Sequence, residues 1–153
     1  MIMTDHFFTP DHAYIPGQNH RHPDDLFDPI KEDINPNLTP LELFNSKAMA
    51  HGLFYLEQGY YWEAHEVLEP VWMALESHPT ERQLVQALIQ IANGLLKLEM
   101  GQLKAAIRLS AIAHDLTTKA FADSEKSKTK DRSLALAQTW CDQLNLKIKQ
   151  YNA

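Results

Sequence analysis

Between residues 80 and 101 the apolar side chains Leu84, Val85, Leu88, Ile89, Ile91, Ala92, Leu95 and Leu96 cover most of a helical circumference. Gln86, Gln90, Asn93 and Lys97 form one narrow polar stripe, with Gln83 at its upper end. That pattern predicts a central helix packed on several sides, opened by Thr80 with Gln83 three residues on and closed by Gly101. An earlier helix opens at Thr39-Pro40-Leu41-Glu42, where Thr39 can cap, Pro40 suits the first helical position and Glu42 completes a capping box. Gly59 closes it, because a left-handed residue after a helix costs glycine nothing. A second helix is expected over about residues 60–76 and a fourth from Gly101 to about Phe121. After a polar stretch at residues 122–131, a fifth is expected to about Gln150, with Leu134, Ala137, Trp140, Leu144 and Ile148 on one side. No segment alternates as a strand does. The chain reads as all-α.

Residues 1–38 are different in kind. They hold five of the eight prolines and four of the eight histidines without sustained periodicity, so an irregular arm is expected there and a helical domain over residues 39–153. Phe7, Phe8, Tyr14, Ile15, Leu26, Phe27 and Ile30 give the arm apolar groups with which to wrap the core. His20 and His22, flanking Arg21, read as polar loop residues.

The helical part repeats itself. "AHGLFYLEQG" at residues 50–59 and "ANGLLKLEMG" at residues 92–101 agree at six of ten positions, 42 residues apart. Each copy is the end of a helix, a glycine turn and the start of the next helix, which predicts two stacked antiparallel hairpins and a closing C-terminal helix. Ala50 and Ala92 read as sites of close approach, Leu53 and Leu95 as buried, and Gly52 and Gly94 as backbone contacts; Ala64 matches Ala106. The arrangement resembles a short tetratricopeptide array, and residues 59–64 resemble the hairpin turn of such repeats, although the 42-residue period is longer.

Charge and composition narrow the function classes. Twenty acidic against 14 basic side chains give a net charge of −6, which repels phosphate backbones and anionic lipid, so neither nucleic acid nor a membrane is an expected partner. Lys126, Lys128, Lys130 and Arg132 lie among polar residues and read as a solvated loop. Cys141 is the only cysteine, which excludes an internal disulfide and suits a reducing compartment. The start "MIMTDHFF" lacks the pattern of a secretion signal, so the cytoplasm is the expected location.

The candidate chemistry begins at a departure from the repeat. His65 stands where the second copy has Ile107, which places a titratable group at the expected hairpin interface. At about 100° per residue, Trp72 falls about 20° to one side of His65 and Glu69 about 40° to the other, with Glu66 on a flank. Pro70 interrupts this helix and removes the partner of the Glu66 carbonyl, so a bend is expected. Gln90 and Asn93 are expected to face His65 and Glu69 across the bundle, with His51, the repeat partner of Asn93, nearby. A buried imidazole and carboxylate would need such a network. Glu63 and Glu66 read as solvated first-turn acids, Trp72 as a core anchor beside the pair and His114 as a core-edge residue.

At this point the residues carry a likeness. "FYLEQGYYWEAHEVLEPVW" followed by "QALIQIANGLLKLEMGQLKAAIRL" resembles the family known as domain of unknown function 309, over about residues 44–112. Its motif positions fall on Gly59, Glu63, His65, Glu66, Glu69, Trp72, Gln86, Gln90 and Gly101. The resemblance implies a small helical fold and brings no established reaction. Lys97 stands where many members have histidine, and Pro70 sits inside the motif helix.

Together these observations suggest a small-ligand pocket made by His65, Glu66, Glu69, Trp72, Gln86, Gln90, Asn93 and Lys97. A non-enzymatic scaffold that receives a protein partner or a second copy as a homodimer is the alternative, and a metal-dependent hydrolase a second one. A metal is not favoured and no cofactor is indicated. His65 and Glu69 have the spacing to share an ion and His51 could add a third ligand, but Lys97 repels a divalent ion and the amides suit hydrogen bonding. Whether any reaction is catalysed stays open at the level of sequence.

Overall fold

The structure is a computed structural model that describes residues 7–124 and 132–152. Its elements are α1 (Asp28–Lys31), α2 (Pro40–Phe44), α3 (Lys47–Gln58), α4 (Tyr61–Ala74), α5 (Pro79–Glu99), α6 (Leu103–Ser124) and α7 (Arg132–Asn152), with no strand among the described residues. The all-α expectation stands. Helices α3 and α4 pack together, α4 packs on α5, α5 on α6, and α7 lies against both α5 and α6.

The two glycine turns share a left-handed glycine and one backward bond. Gly59 and Gly101 take φ values of 84° and 74°, where a side chain would be strained. The following N–H then reaches back to close the helix: Tyr60 N–H bonds the Tyr55 carbonyl and Gln102 N–H the Lys97 carbonyl, each at 2.8 Å. These are equivalent positions in the repeat. The small residues before the turns also act as expected in part. A Cβ on Gly52 would collide with the Leu68 side chain, and one on Gly94 would lie 2.9 Å from Leu144 Cδ2, so both glycines admit a leucine from a neighbouring helix. Ala92 is buried but Ala50 is exposed, because α7 covers the second hairpin and has no counterpart over the first.

Two helix starts differ from the expectation. The helix expected over residues 39–59 is two helices. Thr39 and Glu42 do form the reciprocal capping box, but α2 ends after one turn. Ser46 then donates its hydroxyl to the Leu43 carbonyl at 2.6 Å and accepts the Met49 N–H at 3.1 Å, recapping the chain as α3. Local serine bonds have outcompeted helix continuation. The third predicted helix opens at Pro79 rather than Thr80; His78 precedes it and supplies no side-chain cap. Proline at the first position fixes φ in advance, so no hydroxyl cap is needed.

The core is continuous from the arm to the closing helix. Leu43, Tyr55, Leu56, Leu68, Val71, Leu88, Ile91, Leu95 and Leu144 are buried in it, and the arm adds Phe27 and Ile30. Leu84, Ala120, Leu134 and Ala137 make a smaller cluster where α5, α6 and α7 meet. Residues 125–131, with Lys126, Lys128 and Lys130 of the basic cluster, lie outside the described residues, as do residues 1–6 at the chain start; Arg132 opens α7. No helix among the described residues is long and apolar enough to cross a membrane.

Candidate functional site

Helix α4 carries four charged or titratable motif residues within two turns, and the fold treats its two edges oppositely. One edge faces the arm. Glu63, expected as a solvated first-turn acid, is completely buried. Its Oε2 accepts the Tyr14 N–H at 2.7 Å and meets His22 Nε2 at 2.6 Å, while Oε1 is buried without a hydrogen-bond partner. His22, read from sequence as a polar loop residue, is buried as well. It packs among Tyr14, Phe27 and Trp62 and lies with its ring 4.6 Å from that of His12. His12 in turn donates from Nε2 to the His20 carbonyl at 2.6 Å.

A second set of bonds holds the arm on α3. The Phe8 N–H donates to His51 Nε2 at 3.2 Å, and the Tyr55 hydroxyl donates to the Phe8 carbonyl at 2.7 Å. His51 Nδ1 meets the Lys47 carbonyl at 2.8 Å. A carbonyl only accepts and an N–H only donates, so the ring is fixed as the neutral tautomer with its proton on Nδ1. Burial pushes the His51 pKa down, against the raising effect of the Lys47 carbonyl, and the nearby Lys47 charge lowers it further. Burial, with the charges of Glu63 and Tyr60, holds the Tyr55 phenol well above its ordinary value. His51 therefore serves the arm. Both its nitrogens are occupied, and neither is offered to His65.

The other edge of α4 is half open. His65 Nε2 lies 3.5 Å from Glu69 Oε2 and Nδ1 lies 4.0 Å from Glu66 Oε1, with side-chain exposures of 25%, 51% and 28% for His65, Glu69 and Glu66. Lys31 of α1 reaches Glu66 Oε2 at 3.3 Å. His65 is only partly buried, and its repeat partner Ile107 is 46% exposed. Trp72 is half-buried, with the Arg82 guanidinium 3.9 Å above its ring and its own Nε1 buried without a partner. His114, its repeat counterpart, is exposed rather than at the core edge.

The α5 stripe is less engaged than the sequence suggested. Gln86, Gln90, Asn93 and Lys97 are half-buried, and among the described residues no side-chain hydrogen bond joins Gln90 or Asn93 to His65 or Glu69. The Gln83 carbonyl oxygen is buried and unpartnered. Among the described residues no three histidine, cysteine, aspartate or glutamate side chains are grouped so as to hold a metal ion. A cleft of about 390 Å³ lies elsewhere, between the start of α4 and the ends of α5 and α7.

This geometry belongs to a recognised sequence unit. The family model described as "Domain of unknown function (DUF309)" matches residues 49–109. No curated protein and no solved structure matches the chain. The match takes in most of α3, all of α4 and α5 and the first turns of α6, and so includes both edges of α4. The arm that buries Glu63 and the helix α7 that walls the cleft lie outside it. His65 stands out in the sequence of the matched residues because Ile107 replaces it in the second copy. The same comparison sets Glu63 against Ala105, a signal for a buried partner that helix-terminus electrostatics concealed.

Proposed function

We propose that the chain is a binding protein rather than an enzyme, and that the His65, Glu66 and Glu69 edge of α4 takes a cationic or donor-rich group of a small ligand. The observation that carries this reading is the spacing around His65. A hydrogen bond from an imidazole N–H to a carboxylate spans about 2.7–3.2 Å, whereas here the two carboxylates stand 3.5 and 4.0 Å from the ring nitrogens, so neither holds the imidazole by a short bond. Two longer contacts without a short orienting bond suit recognition of a ligand better than a fixed proton relay. Two carboxylates against the single ammonium of Lys31 leave the edge rich in acceptors. The unpartnered Trp72 Nε1 adds one donor on the neighbouring turn.

The test is a nuclear magnetic resonance titration of the whole chain with methylguanidinium. Saturable shifts at His65, Glu66 and Glu69 are expected, weakened at least about fivefold by Glu69→Gln, a loss of about 1 kcal/mol. No shift at this edge, or hydrolysis of an ester or phosphoester panel that His65→Leu abolishes, would overturn the reading.

A further inference from the structure

The cleft between the start of α4 and the ends of α5 and α7 begins one turn before His65 but shares no lining residue with the His65 edge, and its chemistry is distinctive. Leu95 and Leu98 of α5 form an apolar floor, and Tyr61 and Tyr151 supply two aromatic walls. Glu99 closes one side at the end of α5, and Lys147 with Gln150 approaches from α7. Glu99 and Lys147 form no ion pair with each other, and neither the two phenol hydroxyls nor the Gln150 amide has a hydrogen-bond partner among the described residues. The Glu99 backbone carbonyl is taken by Gln18 of the arm at 3.1 Å, which leaves its carboxylate for the cleft. Burial and the Glu99 charge both raise the Tyr61 phenol, as expected for two groups that share this space.

The repeat explains why the cleft exists at this turn. Tyr61 stands where the second copy has Leu103, and α7 has no counterpart beside the first hairpin. The seam between duplicated and unduplicated parts is left unfilled. Gly101 lies beside the cleft, with the Tyr151 hydroxyl in ordinary contact range, 3.7 Å from the position of a Cβ.

We infer that this cleft binds a small zwitterion with an apolar body, of the class of a free hydrophobic α-amino acid. Its ammonium would meet Glu99, where the carbonyl end of α5 favours positive charge. Its carboxylate would meet Lys147, and its side chain would lie on the two leucines between the tyrosine rings. A volume of about 390 Å³ is at the small end of ligand sites, and one positive and one negative group do not match a polyanion.

The inference is tested on the full chain with phenylalanine as the probe, followed by nitrogen–proton correlation spectra. Phenethylamine and phenylacetate, each lacking one charge, are the comparison ligands. Saturable shifts are expected at Tyr61, Leu98, Lys147 and Tyr151. Lys147→Gln and Glu99→Gln should each weaken phenylalanine at least about tenfold, a loss of about 1.4 kcal/mol. Phenylacetate should respond only to Lys147→Gln and phenethylamine only to Glu99→Gln. Both substituted residues are exposed, so neither change threatens folding. Absence of saturable shifts, phenylalanine binding as tight in either variant as in wild type, or shifts confined to the His65 edge would overturn the inference. The methylguanidinium titration would stand or fall separately.

Discussion

The two hairpins begin from one pattern and are finished in opposite ways. Both end their first helix with a left-handed glycine and the same backward bond, and both seat a leucine on a glycine of that helix. They part company where each meets its cover. The first hairpin has His51, Tyr55, Trp62 and Glu63, each of which bonds or packs against the arm. The second has Asn93, Lys97, Lys104 and Ala105 at the equivalent places, and is covered by α7 through contacts such as the 2.6 Å bond from the Ser110 hydroxyl to Asn145. A duplicated frame thus diverges where a different partner buries it. Departures from the repeat mark a covering element as readily as a functional site.

The strongest way to break this comparison is at Glu63. Its carboxylate receives both His22 and the Tyr14 N–H in a fully buried place. Glu63→Ala strands these donors, and removing one partner of a buried pair costs about 3–5 kcal/mol. Urea unfolding should register that loss, together with faster proteolysis of residues 12–22. A double-mutant cycle with His22→Ala should show coupling above about 1 kcal/mol. A loss below about 1 kcal/mol would mean that the arm is held by its apolar residues alone.

A smaller effect separates the two helix contacts. Gly52→Ala places a methyl 2.6 Å from Leu68 Cγ, deep in the core, whereas Gly94→Ala places one 2.9 Å from the outer Cδ2 of Leu144. Overpacking costs about 1–3 kcal/mol, while alanine in a helix gains up to about 1 kcal/mol over glycine. The first hairpin should therefore lose about 1–2 kcal/mol, and the second should stay within about 0.5 kcal/mol of wild type. Equal losses would show that Leu68 and Leu144 are equally confined.

How far these features could be read in advance depends on the range of the interaction. The glycine turns, the Thr39 box and the burial of α5 follow from residues within one or two turns of each other, and they are present. The break at Ser46 is also local, but a serine inside an apolar helical pattern gives no warning of whether its hydroxyl will recap the chain. Glu63 was misread because its partners lie more than 40 residues away in a segment with no periodicity to place it. The isoleucine counterpart of His65 points to a hairpin interface, yet Ile107 is itself exposed. Apolar identity at one position does not establish burial.

The arm contact on α3 can be sharpened by pH. The folded protein holds His51 neutral with a pKa below its ordinary 6.5, so the unfolded chain takes up a proton first as pH falls. Stability contributed by this site is complete above 6.5 and declines as pH drops through 6.5 toward the lowered folded value. His51→Asn installs the residue of the second copy and removes the proton site. The free energy of unfolding of wild type minus variant should fall across that window and be level above it. A difference that rises on acidification would mean that the ring is charged in the fold.

The least effect on stability is expected at His65. Its side chain is one-quarter exposed, Glu69 is about half exposed, and the second copy carries an aliphatic residue at the same outward-facing place. His65→Leu gives up only a partly solvated ion pair, worth about 0–1 kcal/mol, and keeps a similar apolar volume against α4. Urea unfolding should therefore place the variant within about 1 kcal/mol of wild type, while methylguanidinium binding at the edge is lost. That combination separates a residue kept for recognition from one kept for packing, and it is the reverse of the pattern expected at Glu63. If His65→Leu unfolds more than about 3 kcal/mol more easily, both edges of α4 hold the fold together, and the contrast between a sealed and an open edge disappears.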